Sequence, residues 1–415
     1  MNRLTTISLF SGAMGLDLGL EEAGFQTLAC VEVNEAACAT IRANRPELSV
    51  ICRDIREVSS AEIMEAAGVA PEEVTLVVGG PPCQPFSTAG RRKGINDPRG
   101  SLFMDFVRVI NDTRPAFFIM ENVRGLLSQA LSHRPLNQRG PGNPPLGEDE
   151  QPGSVLRVVL EEFERIGYRV DYFAVNAVNH GAPQIRERVF FIGNRLNLAV
   201  DWPDPSHGLP PQKGQRPFET LGSVLMGWVD PDPVIMDFSP RKKHYLSHVP
   251  PGGNWRDLPE ELQRESMGAA WHAKGGRSGW WRRLSYEYPS PTIVTMPNHA
   301  STSLCHPEEV RTLTVGECAR VQGFPEHWHF VGTPLEQYTQ VGNAVPVQLG
   351  KLAGEVVRQA LDSPQNAAQP MLFNVPSRGR NVQSTVRTRM YHVGSKQWLA
   401  DRIGWTKHKE KVESD

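Results

Sequence analysis

Cys83 stands in the run Gly79-Gly80-Pro81-Pro82-Cys83-Gln84-Pro85-Phe86-Ser87, which three prolines stiffen and two glycines free. The apolar stretch Leu76-Val77-Val78 delivers that turn. This places the thiol at the mouth of a cleft rather than in a core, the usual home of a free cysteine. A thiol so placed is a nucleophile once electropositive neighbours favour its thiolate, and Arg91, Arg92, Lys93 and Arg99 follow closely. A second constellation lies upstream. Phe10-Ser11-Gly12-Ala13-Met14-Gly15 follows an apolar run and opens a helical pattern. Glycines there admit a ligand close to the backbone, and the helix N-terminus favours a carboxylate or phosphate. Glu32 ends the next apolar run, about 20 residues on, where an acid can bind ribose hydroxyls. Asp54-Ile55 follows the third run and is placed to meet an adenine ring. Three such groups in order at successive strand ends point to an adenosyl ligand.

The elements that must carry these groups can be read from periodicity. Residues 4–10, 27–32, 74–78 and 116–121 are buried strands by pattern, each followed by a turn and a helical stretch. Such alternation predicts a doubly wound, Rossmann-like α/β domain, a parallel sheet with helices on both faces. In such sheets ligands bind beyond the carboxyl ends of the strands, where all the groups above fall. Residues 124–153 read as a long surface loop, 154–167 as helix, and 168–176 and 188–193 as strands. From about residue 196 to 307 the rhythm collapses into Pro, Gly, Trp, His and basic residues. Helical pattern resumes at 313–322 and 346–360, and a polar, then basic, tail follows. The expected division is therefore 1–195 and 308–361 for one catalytic and cofactor-binding domain, 196–307 for a smaller irregular domain, and 362–415 for a tail.

The segment around Cys83 resembles motif four of the DNA cytosine-5 methyltransferases, and the rest of the chain continues the resemblance in order over about residues 4 to 360. Phe10–Gly15 looks like the cofactor motif of that family, with Met14 where a glycine is usual. Glu121-Asn122-Val123 and Gln184-Ile185-Arg186-Glu187-Arg188 are similar to its Glu-Asn-Val and Gln-x-Arg-x-Arg motifs. Arg311 to Pro325 matches the motif closing its recognition region, and Gln340 to Pro346 the last motif, which folds back beside the first. The resemblance implies S-adenosylmethionine as cofactor, held by Phe10, Ser11, Gly12, Gly15, Leu16, Glu32, Asp54, Ile55, Pro82, Asn343, Ala344 and Val345. It implies double-stranded DNA as substrate, with Cys83, Glu121, Arg186 and Arg188 catalytic. A thiolate adding to C6 of cytosine makes C5 nucleophilic, and an acid at N3 lowers the barrier. The cytosine must first leave the duplex. The stretch from Cys83 to Ser101, with its glycines and basic residues, reads as a loop closing over the base, with Ser87, Arg91, Arg92 and Arg99 on the DNA.

The family places target recognition where the irregular insert lies. Residues 241–283 hold nine Arg or Lys against four Asp or Glu, interleaved with Trp255, Trp271, Trp280 and Trp281. Arg282 and Arg283 are expected on phosphates, and most of the tryptophans in a small core. A tRNA-methylating branch of the same fold and a non-catalytic DNA-binding homologue are the rival readings. The former typically carries Cys-Phe-Thr in its insert, where this chain has only Cys305-His306-Pro307, and the latter would not need Cys83, Glu121 and Arg188. Composition is that of a soluble globular chain, 39% hydrophobic and 22% charged with a net charge of −2. No apolar stretch predicts a membrane span or signal peptide, and the six cysteines have no zinc spacing. The expectation is a monomeric, cytoplasmic, nucleoid-associated enzyme of a prokaryotic restriction–modification or orphan type, with any cognate endonuclease acting independently.

Overall fold

The computed structural model describes residues 4–82, 102–272, 279–362 and 379–380. Cys83, Ser87, Arg91, Arg92, Arg99 and nearly all of the basic tail lie outside the described residues. The strands are β1 Leu4–Leu9, β2 Phe25–Glu32, β3 Ser49–Cys52, β4 Leu76–Gly79, β5 Phe117–Val123, β6 Arg169–Asn176, β7 Gln184–Ile185, β8 Glu187–Asn194, β9 His207–Gly208, β10 Arg216–Pro217 and β11 Ser290–Pro291. Helices α1 to α5 are Gly15–Glu22, Glu35–Asn44, Ser60–Ala67, Leu102–Thr113 and Ser154–Arg165. Helices α6 to α11 are Leu221–Leu225, Pro240–Ser247, Glu260–Met267, Val315–Gln322, Pro334–Asn343 and Val347–Asp362.

The central sheet runs β3-β2-β1-β4-β5-β8-β6, with the pair Gly379–Arg380 beside β6. Every pair is parallel except those of β8, which is antiparallel to both β5 and β6. The doubly wound parallel sheet expected from periodicity is thus present with one reversed strand. The link 177–186 between β6 and β8 is too short for a crossover helix, and a chain that returns at once must run antiparallel.

Both faces of the sheet are covered, and the pleat sorts the side chains between them. Val77 packs with Phe106 and Ile110 of α4 and Val159 and Phe163 of α5. Its neighbours Leu76 and Val78 point the other way, to Leu20 of α1 and to Leu349, Val356 and Val357 of α11. Helices α1 and α11 touch through their backbones: a Cβ on Gly19 would overlap the Val347 carbonyl, and one on Gly350 the Leu16 carbonyl. Glycine at both positions is what lets the end of the chain lie against its beginning.

The insert has little regular structure, as its composition predicts. Its middle has a core of its own, in which Phe238, Tyr245, Leu246, Trp255, Trp281 and Cys305 pack together. Two of the four tryptophans, Trp255 and Trp281, are fully in that core, and Trp271 and Trp280 pack against it. The flanks are different. Leu221, Leu225, Leu284, Ile293 and Leu304 share a cluster with Leu313, Cys318, Tyr338 and Val341, so the insert's ends are sewn into the core formed by α9 and α10.

Candidate active site

The carboxyl ends of β1, β2, β4 and β5 open onto one cavity of about 680 Å³. Phe10, Ser11, Gly12, Gly15, Leu16, Glu32, Asp54, Ile55, Pro82, Glu121, Arg186, Arg188, Asn343, Ala344 and Val345 all line it. Three elements separated by hundreds of residues therefore meet where the sequence placed the chemistry. Cys83 lies outside the described residues, and Pro82, the residue before it, is on the cavity wall.

At one end the Phe10–Gly15 turn wraps the N-terminus of α1. Phe10, Gly12 and Met14 take left-handed backbone, with φ of 55°, 51° and 66°. Met14 thus keeps the conformation that glycine adopts without strain, and its side chain is buried beside Ala13 and Leu18. Glu32 closes the turn. Its carboxylate accepts from the backbone N–H of Gly12 at 2.8 Å, of Val33 at 2.9 Å and of Asn34 at 2.8 Å. Asp54 accepts from the Arg56 N–H at 3.0 Å and pairs with the Arg56 guanidinium, which holds the carboxyl below its ordinary range. Val33, 62% exposed, and buried Ile55 present apolar surface to the same space. Beneath the turn, Asp17 is enclosed and accepts from Ser8 Oγ at 3.0 Å and Thr27 Oγ1 at 3.4 Å. Burial pushes its carboxyl up to about 7.

At the other end Glu121 sits at the end of β5, its Oε1 2.7 Å from Arg188 Nε. The pair is an ion contact without an aligned hydrogen bond, and Oε1 has no hydrogen-bond partner. Burial raises the carboxyl above its usual range, against the pull of Arg188 and Arg186. The other carboxyl oxygen lies against Gly80, where a Cβ would come within 3.2 Å of it. Asn122 next door donates Nδ2 to the Pro81 carbonyl at 2.9 Å and accepts from the Val123 N–H at 2.9 Å. It ties the turn leading into Cys83 to the strand that carries Glu121.

Alternation along 184–188 puts Gln184, Arg186 and Arg188 on one side of the chain, yet only Arg188 reaches Glu121. Arg186 is buried, with Nη1 donating to the Ile293 carbonyl at 3.0 Å and Nη2 to those of Gly342 at 2.9 Å and Asn343 at 3.3 Å. Arg186, expected to be catalytic, thus lines the cavity with its terminal nitrogens bonded to main-chain carbonyls rather than to Glu121. Gln184 does likewise, donating to Gln322 Oε1 at 2.6 Å, while Gln322 donates to the carbonyls of Val341 at 2.6 Å and Ala344 at 3.1 Å. Gly342 admits this packing, since a Cβ there would strike the backbone of Val294 and Thr295.

The two insert arginines are not the exposed pair that the charge pattern suggested. Arg283 gives its guanidinium to the carbonyls of Val249, Pro307 and Glu308 at 3.2, 3.1 and 2.8 Å. Arg282 is 6% exposed. Asn122, Gln184, Gln322, Val33 and Asp17 went unassigned in the sequence reading. The first three lie inside motifs already recognised, and asking where each buried polar side chain bonds would have singled them out.

Comparison with known proteins agrees with this geometry. Residues 4–359 match the family described as C-5 cytosine-specific DNA methylase. The chain is 37% identical over 348 residues to the type II methyltransferase M.Sau96I of Staphylococcus aureus, covering 83% of this chain and 74% of that one. It is 36% identical over 367 residues to M.Eco47II of Escherichia coli, covering 87% and 80%. Among solved structures, Spodoptera frugiperda DNMT2 superposes with a TM-score of 0.52 at 17% identity, over 86% of this chain and 99% of that one, a likeness of fold.

Proposed function

The chain belongs to the C-5 cytosine-specific DNA methylases, and from that premise we propose that it methylates C5 of a flipped-out cytosine in a specific double-stranded DNA sequence, using S-adenosylmethionine and a covalent bond from Cys83 to C6. DNA cytosine-5 methylation itself follows from membership of the family. The finer reading rests on one observation: a single cavity joins the turn, Glu32 and Asp54 at one end to Glu121, Arg188 and the approach to Cys83 at the other.

The residues fit the cofactor. The α1 N-terminus and the left-handed turn suit a carboxylate, Glu32 suits ribose hydroxyls, and Val33 and Ile55 suit the faces of an adenine ring. Asn343, Ala344 and Val345 complete that wall. When bound there, S-adenosylmethionine supplies a methyl group on a sulfonium leaving group. Glu121, whose carboxyl burial raises so that it holds a proton more readily, donates that proton toward N3 as the Cys83 thiolate adds to C6, and Arg188 holds the carboxyl and faces the base O2. With C6 bonded to sulfur, C5 carries the electron density that forms the new carbon–carbon bond. Loss of the C5 proton and expulsion of the thiolate, with the N3 proton returning to Glu121, then restore the aromatic ring. The acid and the arginine are desolvated in advance, so the site needs little reorganisation as charge develops.

The insert, residues 196–307, is the proposed recognition region, and Ser87, Arg91, Arg92 and Arg99, in the segment after Cys83, are proposed DNA contacts. A soluble cytoplasmic monomer, with any cognate endonuclease separate, is the matching reading. Among the described residues no helix is long and apolar enough to cross a membrane. The test is covalent trapping. Duplex DNA containing 5-fluorocytosine, incubated with the protein and cofactor, should form a complex stable to denaturation, with the adduct mapped to Cys83. Cys83→Ala should form none and lose methyl transfer while still binding S-adenosylmethionine. An adduct on another cysteine, or methylation at an exocyclic nitrogen, would overturn the mechanism.

A further inference from the structure

Arg282 and Arg283 are neighbours in the chain and opposites in the fold. Arg283 has three carbonyl partners. The Arg282 side chain is buried with no hydrogen bond or ion pair to any described residue, and its Nε is sealed from solvent without an acceptor. Burial alone pushes the guanidinium down to about 10, and no carboxylate offsets it. Residues 273–278, which precede this segment, contain no acidic side chain that could serve. An uncompensated buried cation is costly, and folds keep one only where something repays it.

The surroundings hold Arg282 firmly in this condition. Trp281, before it, is a buried aromatic in left-handed backbone with φ of 52°, a strained conformation for a residue with a side chain. The Trp281 N–H donates to the Ala300 carbonyl at 3.0 Å, and the Arg283 N–H to that of Gly253 at 3.1 Å. Ser303 Oγ donates to the carbonyl of Arg282 itself at 2.7 Å. Gly279 lies alongside, where a Cβ would stand 3.0 Å from Nη2 and overlap the Ser301 carbonyl. Glycine at 279 lets the backbone pack closely against the guanidinium. Strain, clamping and a charge with no partner among the described residues occur together over residues 281–283, in the segment proposed to face DNA.

We propose that Arg282 is a preorganised anion receptor in the insert, whose occupant is a phosphodiester of bound DNA. The planar fork of a guanidinium matches two phosphate oxygens, and the cost of stripping water from it has already been met in the free protein. The inference rests on the DNA-methylase reading above and deepens the phosphate contact expected of Arg282 from the charge pattern: the site is buried and built before DNA arrives.

The experiment sets stability against binding. Arg282→Met replaces the cation with an apolar chain of similar length. In the absence of DNA it should melt at the same temperature as wild type or higher, because the desolvated charge is gone. Its affinity for a short random-sequence duplex should fall roughly tenfold or more, the loss of a charge-assisted contact. The slope of log affinity against log salt should be shallower by about 0.9, one phosphate fewer. Arg282→Lys should keep the wild-type slope. If the methionine variant does not fold, Arg282→Gln takes its place with the same readings. A lower melting temperature with unchanged affinity and slope would make Arg282 a structural residue and overturn the proposal. So would a lysine variant that loses the slope as the neutral ones do. Stabilisation of wild type but not Arg282→Met by inorganic phosphate, with equal DNA slopes, would mean that the site takes a small free anion instead. If wild type binds no duplex at all, it is the DNA-methylase reading that fails, whatever the variants do.

Discussion

The two ends of the cavity are built on opposite principles. Around the Phe10–Gly15 turn the two acids are satisfied: Glu32 accepts three backbone N–H groups, and Asp54 caps and pairs with Arg56. Around Glu121 the groups are left wanting. Its carboxyl is buried and raised, its Oε1 has no aligned donor, and Arg186 behind it is buried with an unpartnered Nε, pushed well below its ordinary value by burial. A binding surface is rigid when its hydrogen bonds are complete, whereas a reacting surface gains by withholding them until charge appears. The contrast is what the proposed division, cofactor at the first end and chemistry at the second, would require.

The sharpest way to break this contrast is to remove the acid without changing its shape. Glu121→Gln should lower the methylation rate by about 10²–10⁴ and leave cofactor affinity unchanged. Because burial raises the Glu121 carboxyl, wild-type activity should decline as pH rises through that folded value, and the variant should lack this alkaline limb. Equal loss of rate and of cofactor affinity would mean that the two ends are not separable. At the satisfied end, Glu32→Gln should weaken S-adenosylmethionine by about 1.5–3 kcal/mol, read by calorimetry, with a smaller change in the rate at saturation. The full effect includes slackening of the turn, since Glu32 also holds the Gly12, Val33 and Asn34 N–H groups. An unchanged dissociation constant would remove Glu32 from the ribose.

The smallest effect tests the exception at the satisfied end, Asp17, raised by burial from 3.8 to about 7. A raised carboxyl means that the folded state holds its proton over a pH range where the unfolded chain has released it. Stability from this group is therefore present below pH 3.8, falls as pH rises toward 7, and is flat above. Asp17→Asn, whose amide oxygen can still accept from Ser8, should flatten that decline and melt higher than wild type at pH 8, by up to a few kcal/mol at most. Thermal melts across pH 4 to 8 with no difference between the two proteins would show that Asp17 is ionised in the fold.

Much of this molecule was legible in the sequence. The order of strands and turns, the Gly-Pro setting of Cys83, and the acids at the ends of β2 and β5 follow from periodicity and turn chemistry, which are local properties of the chain. Even the irregular insert announced itself, because a segment rich in Pro, Gly and Trp has no period to read. What spacing does not carry is the state of a side chain once the chain has closed on itself. The reversal of β8 depends on the length of its link as well as on its own pattern. Arg186 and Arg188 stand two apart in one motif, yet the first bonds to the carbonyls of Ile293 and Gly342, 107 and 156 residues away, and the second to Glu121. Arg282 and Arg283 are the same letter twice in a basic stretch, and only folding buries one and gives the other its carbonyls. Composition records charge, whereas desolvation is a sum over neighbours that tertiary structure alone brings together.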